Sequence, residues 1–116
     1  MRNDRERLRD ILKAIDHVLD KTTGGREAFN RDEMVQVWVL HHLQVIGEAS
    51  RSLSEEFKRR QPDKAWSKAA GMRHILVHQY FEIDADQVWN VVERDLPALR
   101  AKVMQVLAQE GPAAEA

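Results

Sequence analysis

Cysteine is absent from the 116 residues, which excludes disulfides, thiolate catalysis and cysteine-ligated zinc. Histidine and carboxylate metal sites stay open. Glycine and proline are scarce, five and three, while 32% of residues are charged and 43% hydrophobic. That balance excludes a turn-rich sandwich or a disordered chain and points to a soluble helical protein. No apolar run approaches the roughly 20 residues that span a bilayer, and the opening M-R-N-D-R-E-R lacks the apolar core of a signal peptide. A cytoplasmic protein without a membrane partner is expected. The formal charge is −1, so there is no generalised attraction to nucleic acid. The length suits one domain, since two cores would leave each half too small to bury much surface.

Residues 1–110 carry the helical patterns, and the tail G-P-A-A-E-A, residues 111–116, reads as disordered. Asn3 with Glu6 forms a capping box ahead of the stripe Leu8, Ile11, Leu12, Ile15, Val18, Leu19, which repeats with the period of a helix. Thr22-Thr23-Gly24-Gly25 should end it. His17 sits beside the stripe, as a partly buried or surface side chain.

Asn30 with Glu33 repeats the cap pattern and predicts a second helix over residues 31–52. Met34, Val35, Val37, Trp38, Val39, Leu40, Leu43, Val45 and Ile46 cover most of its circumference. A helix apolar nearly all round is buried on more than one side, and in so small a bundle the second side predicts a homodimer packed partly through this helix, the alternative being that the third and fourth helices cover it all. Gly47 and Ala49 would allow close approach there. His41 and His42 are adjacent, diverge by about 100° on a helix and cannot chelate as a pair; a core-edge and an interface role are expected. Ser54 opens a short polar helix to Arg60, Gln61-Pro62-Asp63 breaks it, Asp63 caps the next helix, and Trp66 anchors the turn.

The third main helix carries R-H-I-L-V-H-Q-Y, residues 73–80. It concentrates a fixed cation, two imidazoles and a phenol. An arginine grips phosphate through its planar fork, and an imidazole can give or take a proton near neutral pH. On a helical wheel Met72, Ile75, Leu76 and Gln79 look inward, Arg73, Val77 and Tyr80 lie on one flank, and His74 and His78 on the other. Arg73 and His78 are therefore about 140° apart. For both to face one phosphate the helix must bend or end, the arginine must wrap across, or a second copy must complete the cleft. Between Arg51 and Arg73 the bases Arg51, Lys58, Arg59, Arg60, Lys64, Lys68 and Arg73 outnumber the acids Glu55, Glu56 and Asp63. This run is either a phosphate-steering patch or a solvated face. Asp84 with Gln87 caps a fourth helix through Val88, Val91, Val92, Leu96, Leu99, Val103, Val106 and Leu107, which Pro97 must kink or restart near Asp95 or Leu96. Without strand alternation or repeats, the pattern predicts an all-α, up-and-down four-helix bundle.

The spacing R-x-x-x-x-H-x-Y at Arg73, His78 and Tyr80, with "LQVIGEASRSLS" (residues 43–54), "AWSKAAGMRHILVHQYF" (65–81) and "VWNVVERDLPALR" (88–100), resembles the HepT family of HEPN-domain ribonuclease toxins. The resemblance implies a dimer with two motifs lining one groove, and RNA as substrate. Metal-independent cleavage needs a base for the ribose 2′-hydroxyl and a cation for the phosphoryl oxygens: His78 suits the first and Arg73 the second. His74, or the His78 of a second copy, could act as acid. No cofactor is called for. Proteins of this family are paired with a nucleotidyltransferase antitoxin, MntA, that adenylylates the motif tyrosine, here Tyr80; without the resemblance Tyr80 reads as a packing residue. Two other classes remain. His74-x-x-x-His78 has the spacing of two zinc ligands but lacks the Glu of H-E-x-x-H and a third ligand. A non-catalytic nucleotide- or RNA-binding dimerisation module would use Arg73 to hold phosphate without cutting.

Overall fold

A computed structural model describes residues 2–75 and 84–110, and these contain helices and no strand. The tail from residue 111 and residues 76–83, which include His78 and Tyr80, lie outside them.

Helix α1 (Asp4–Lys21) starts on the reciprocal cap predicted for it: the Glu6 amide donates to Asn3 Oδ1 at 2.8 Å and the Asn3 amide to Glu6 Oε1 at 3.2 Å. Its stripe of Leu8, Ile11, Ile15 and Val18 is buried. The chain then departs from the expected loop. Gly25 takes φ +86°, a conformation that favours glycine, and opens the short helix α2 (Gly25–Arg31). Tertiary anchoring holds this turn: Phe29 is buried against Trp89, with ring centroids 5.4 Å apart, and Arg26 pairs with Asp86.

Helix α3 (Glu33–Arg51) is capped by Asp32, not by Asn30, through its carboxylate and the Val35 amide at 3.1 Å. Asn30 belongs instead to the end of α2, where Gln36 Nε2 donates to the Phe29 and Asn30 carbonyls. One face of α3, including Val39, Leu43 and Ile46, is fully buried. Opposite it, Met34 is 83% and Val37 55% exposed, with Trp38 next to them at 37%. The second apolar side read from the sequence is thus left uncovered by the described residues.

Ser54 caps α4 (Glu55–Arg60) and accepts from the Phe57 amide at 3.0 Å. Its own amide and hydroxyl donate to Asp4 at 2.8 and 2.6 Å, which ties the start of α4 to the start of α1. Asp63 caps α5 (Lys64–Ala70). Trp66 stacks edge-on against the buried Phe57 and donates to the Gln61 carbonyl at 3.0 Å, the anchor expected of it. From Gly71 to Arg73 the chain tightens into a 3-10 turn.

Asp84 caps α6 (Ala85–Asn90). A wide π turn (Val91–Asp95) then leads into α7 (Leu96–Glu110), with the Leu96 amide bonded to the Val91 carbonyl five residues back. Pro97 has no amide hydrogen, and its ring crowds the carbonyl four residues earlier. The widened turn accommodates both without stopping the helix, which resolves the kink-or-restart choice left by the sequence.

Helix α3 is the centre of the packing. It runs along α1 on one side and along α5 and the 3-10 turn on the other, while α7 closes against α1 and α5. No helix among the described residues is long and apolar enough to cross a membrane.

Candidate active site

Arg73 reaches its position because α3 is cut away at Gly47. A Cβ at Gly47 would stand 2.8 Å from the Arg73 amide nitrogen, 2.9 Å from its Cβ and 3.2 Å from the Ala70 carbonyl oxygen. The glycine expected to admit a second subunit instead admits the chain's own motif backbone.

One residue further along α3, Glu48 receives the Arg73 guanidinium, with Nη1 donating to Oε1 at 2.8 Å. Arg51 approaches the other carboxylate oxygen at 3.7 Å. The hydrogen bond from Arg73 is the main cause that holds the Glu48 carboxyl below the usual carboxylate range; burial opposes it, and the charges of Arg73 and Arg51 add to the lowering. Glu48 therefore stays anionic near neutral pH and fixes the guanidinium. Sequence reasoning gave Glu48 no role, although it is the only acid in α3 after Glu33.

Arg73 opens on a cleft of about 510 Å³ whose walls include Arg51, Lys58, Trp66, Ser67 and His74. Its acid, Asp63, is engaged by Lys102 at 3.0 Å. Three bases of the Arg51 to Arg73 run thus line one cleft. Arg60 and Lys68 do not: they pair with Glu110 and Asp95, so the run divides into a cleft wall and a solvated face. Met72 is buried, as the wheel predicted, whereas His74, which the wheel put on the flank opposite Arg73, is exposed and lines the same cleft. The wheel's regular spacing does not apply at Arg73, which ends a 3-10 turn with three residues per turn. His78 and Tyr80 are outside the described residues.

The comparisons with known proteins converge here. A family model described as ribonuclease HepT-like matches residues 11–106. The chain belongs to the HepT-like ribonuclease family. A probable ribonuclease HepT of Thermococcus cleftensis is 36% identical, over 87% of this chain and 93% of its own length. A protein of Methanocaldococcus jannaschii named as a putative RNase is 34% identical over 83% of this chain and 89% of its own length. No solved structure gives a significant match. In this HepT-like chain, ribonuclease activity is the family-level function, and Arg73 sits in the most basic cleft described.

The remaining histidines form a cluster of their own. His42 is buried and His41 exposed. The His17 and His42 rings stack at 4.9 Å and 19°, and Trp38 packs edge-on to both. Among the described residues no group of His, Asp or Glu could hold a metal ion; the His74/His78 pair includes an undescribed residue. Burial first, then the charges of His41 and His17, lower the His42 pKa from its ordinary 6.5. A base whose folded pKa is depressed takes up its proton more readily when unfolded, so stability is full above pH 6.5 and declines as pH falls through and below that value. The melting temperature is therefore expected to drop more steeply between pH 7 and 5 in the wild type than in His42→Leu. Scanning calorimetry at stepped pH checks this, and parallel slopes would contradict it.

Proposed function

We propose that this chain is the toxin of a toxin–antitoxin pair, a metal-independent endoribonuclease working in the cytoplasm as a homodimer. Its domain, residues 1–110, is read as a HEPN-like up-and-down four-helix bundle. The exposed stripe of Met34, Val37 and Trp38 on α3 supports a second copy as its cover. The observation that carries the reading is Arg73, fixed by Glu48 at 2.8 Å in a basic cleft of a chain from a ribonuclease family.

In this mechanism Arg73 holds the scissile phosphate and offsets charge on its oxygens as the pentavalent state forms. His78 removes the proton of the ribose 2′-hydroxyl, whose oxygen attacks the adjacent phosphorus. The bond from phosphorus to the 5′-oxygen breaks, and that oxygen takes a proton from His74 or from the His78 of the second copy. The products are a 2′,3′-cyclic phosphate and a free 5′-hydroxyl, and the need for a 2′-hydroxyl restricts the reaction to RNA. Tyr80 is the proposed acceptor of AMP from an MntA-like nucleotidyltransferase antitoxin. An AMP group there places bulk and negative charge near Arg73 and blocks the cleft.

Purified protein incubated with RNA and excess EDTA is expected to yield cyclic-phosphate ends, and intact mass after incubation with ATP and the cognate antitoxin is expected to show AMP adducts lost in Tyr80→Phe. Cleavage abolished by EDTA would refute the metal-independent route. Binding without cleavage under every condition would favour the non-catalytic module.

A further inference from the structure

A second groove, of about 520 Å³, runs between α1 and α3 from Arg7 and Lys13 past His17, His41 and His42 to Glu48. Its size is that of a small-ligand site. His42 lines it, is 9% exposed, and has neither ring nitrogen hydrogen-bonded. A neutral imidazole carries one donor and one acceptor, and buried polar groups are ordinarily satisfied. The two ring nitrogens point in divergent directions, so a ligand edge in the groove satisfies one of them, with either a donor or an acceptor. The wall beside His42 is flat and aromatic, because the His17 ring, which also lines the groove, lies nearly parallel to it.

The charges select the rest of the ligand. Asp10 is engaged by Arg2 through two hydrogen bonds of 2.6 and 2.7 Å, and Glu48 by Arg73 and Arg51. Arg7 and Lys13 have no ion-pair partner among the described residues. The groove thus offers two unengaged cations while both of its acids are held. A nucleotide meets both requirements, with a planar base that carries donors and acceptors on its edges joined to an anionic phosphate.

We propose that the α1–α3 groove holds a nucleotide of single-stranded RNA, its base against the His17 and His42 imidazoles and its phosphate on Lys13 and Arg7. This rests on the ribonuclease reading for its choice of RNA. Continuity supports it: Glu48 lines the groove and also holds Arg73, and His41 is only about 10 Å along α3 from Glu48. A strand lying in the groove therefore runs toward the scissile position. Base stacking on aromatic walls beside cations is the general mode of single-strand binding.

The test is anisotropy of a labelled RNA oligonucleotide bearing 2′-O-methyl groups throughout, which cannot be cut by 2′-hydroxyl attack. Lys13→Gln/His17→Ala is expected to raise its Kd at least 10-fold, and Lys13→Glu, a change at an exposed position, to do so alone. Unchanged affinity in Lys13→Glu overturns the proposal. So does loss of RNA affinity that tracks dissociation of a dimer in sedimentation, because the groove would then be a subunit contact. The two readings separate cleanly: a wild type that never cuts unmodified RNA but loses binding in these variants would retain the groove and discard the nuclease.

Discussion

A His78→Ala variant is expected to cut RNA about 10² to 10⁴ times more slowly than the wild type, the usual worth of a positioned acid–base group. The comparison needs protein whose helical circular-dichroism spectrum is intact, and rates taken at saturating RNA. Removing the charge-stabilising donor instead, in Arg73→Ala, is expected to cost about 10² to 10³. Arg73→Lys keeps the charge and loses the planar fork, so it should recover little of that. Because the two groups act on one transition state, the double variant should be scarcely slower than the worse single one. Wild-type rates in either alanine variant would remove that residue from the mechanism.

The second large effect is expected at a residue that touches no substrate. Gly47→Ala places a methyl 2.8 Å from the Arg73 amide nitrogen and 2.9 Å from its Cβ, and neither is the far end of a flexible side chain. The 3-10 turn must then move away from α3. Overfilling of this kind costs about 1–3 kcal/mol in stability, and a displacement of about 1 Å at a positioning group can cost about 10²-fold in rate. Denaturant melts with single-turnover cleavage measure both terms. Gly71→Ala is the control, since a Cβ there meets nothing within 4 Å; full activity in Gly47→Ala would show that the close approach is unimportant.

These contacts mark where the sequence was legible and where it was not. Asn3, Ser54, Asp63 and Asp84 were readable as caps because each bonds an amide two or three residues away, so the signal is local. The α2 helix was not readable, because seven residues without a clear period are held by Phe29 on Trp89 and by Arg26 on Asp86, sixty positions distant. The cap at Asp32 was mistaken by two residues for the same reason: Asn30 and Asp32 have equivalent capping chemistry, and only the folding of α2 decides between them. Arg73 and His74 could be singled out from residue type and family resemblance. The partner that orients Arg73 could not, since Glu48 lies 25 residues earlier and nothing in a linear pattern joins the two.

The Glu48 contact has a bearing on how a strand is captured. A free arginine side chain must surrender up to about 2 kcal/mol of rotamer freedom when a phosphate freezes it. Here Nη1 is already seated on a carboxylate, so much of that ordering happens as the protein folds and before any ligand arrives. The remaining N–H groups of the fork meet an incoming phosphate as a preset, one-sided grip.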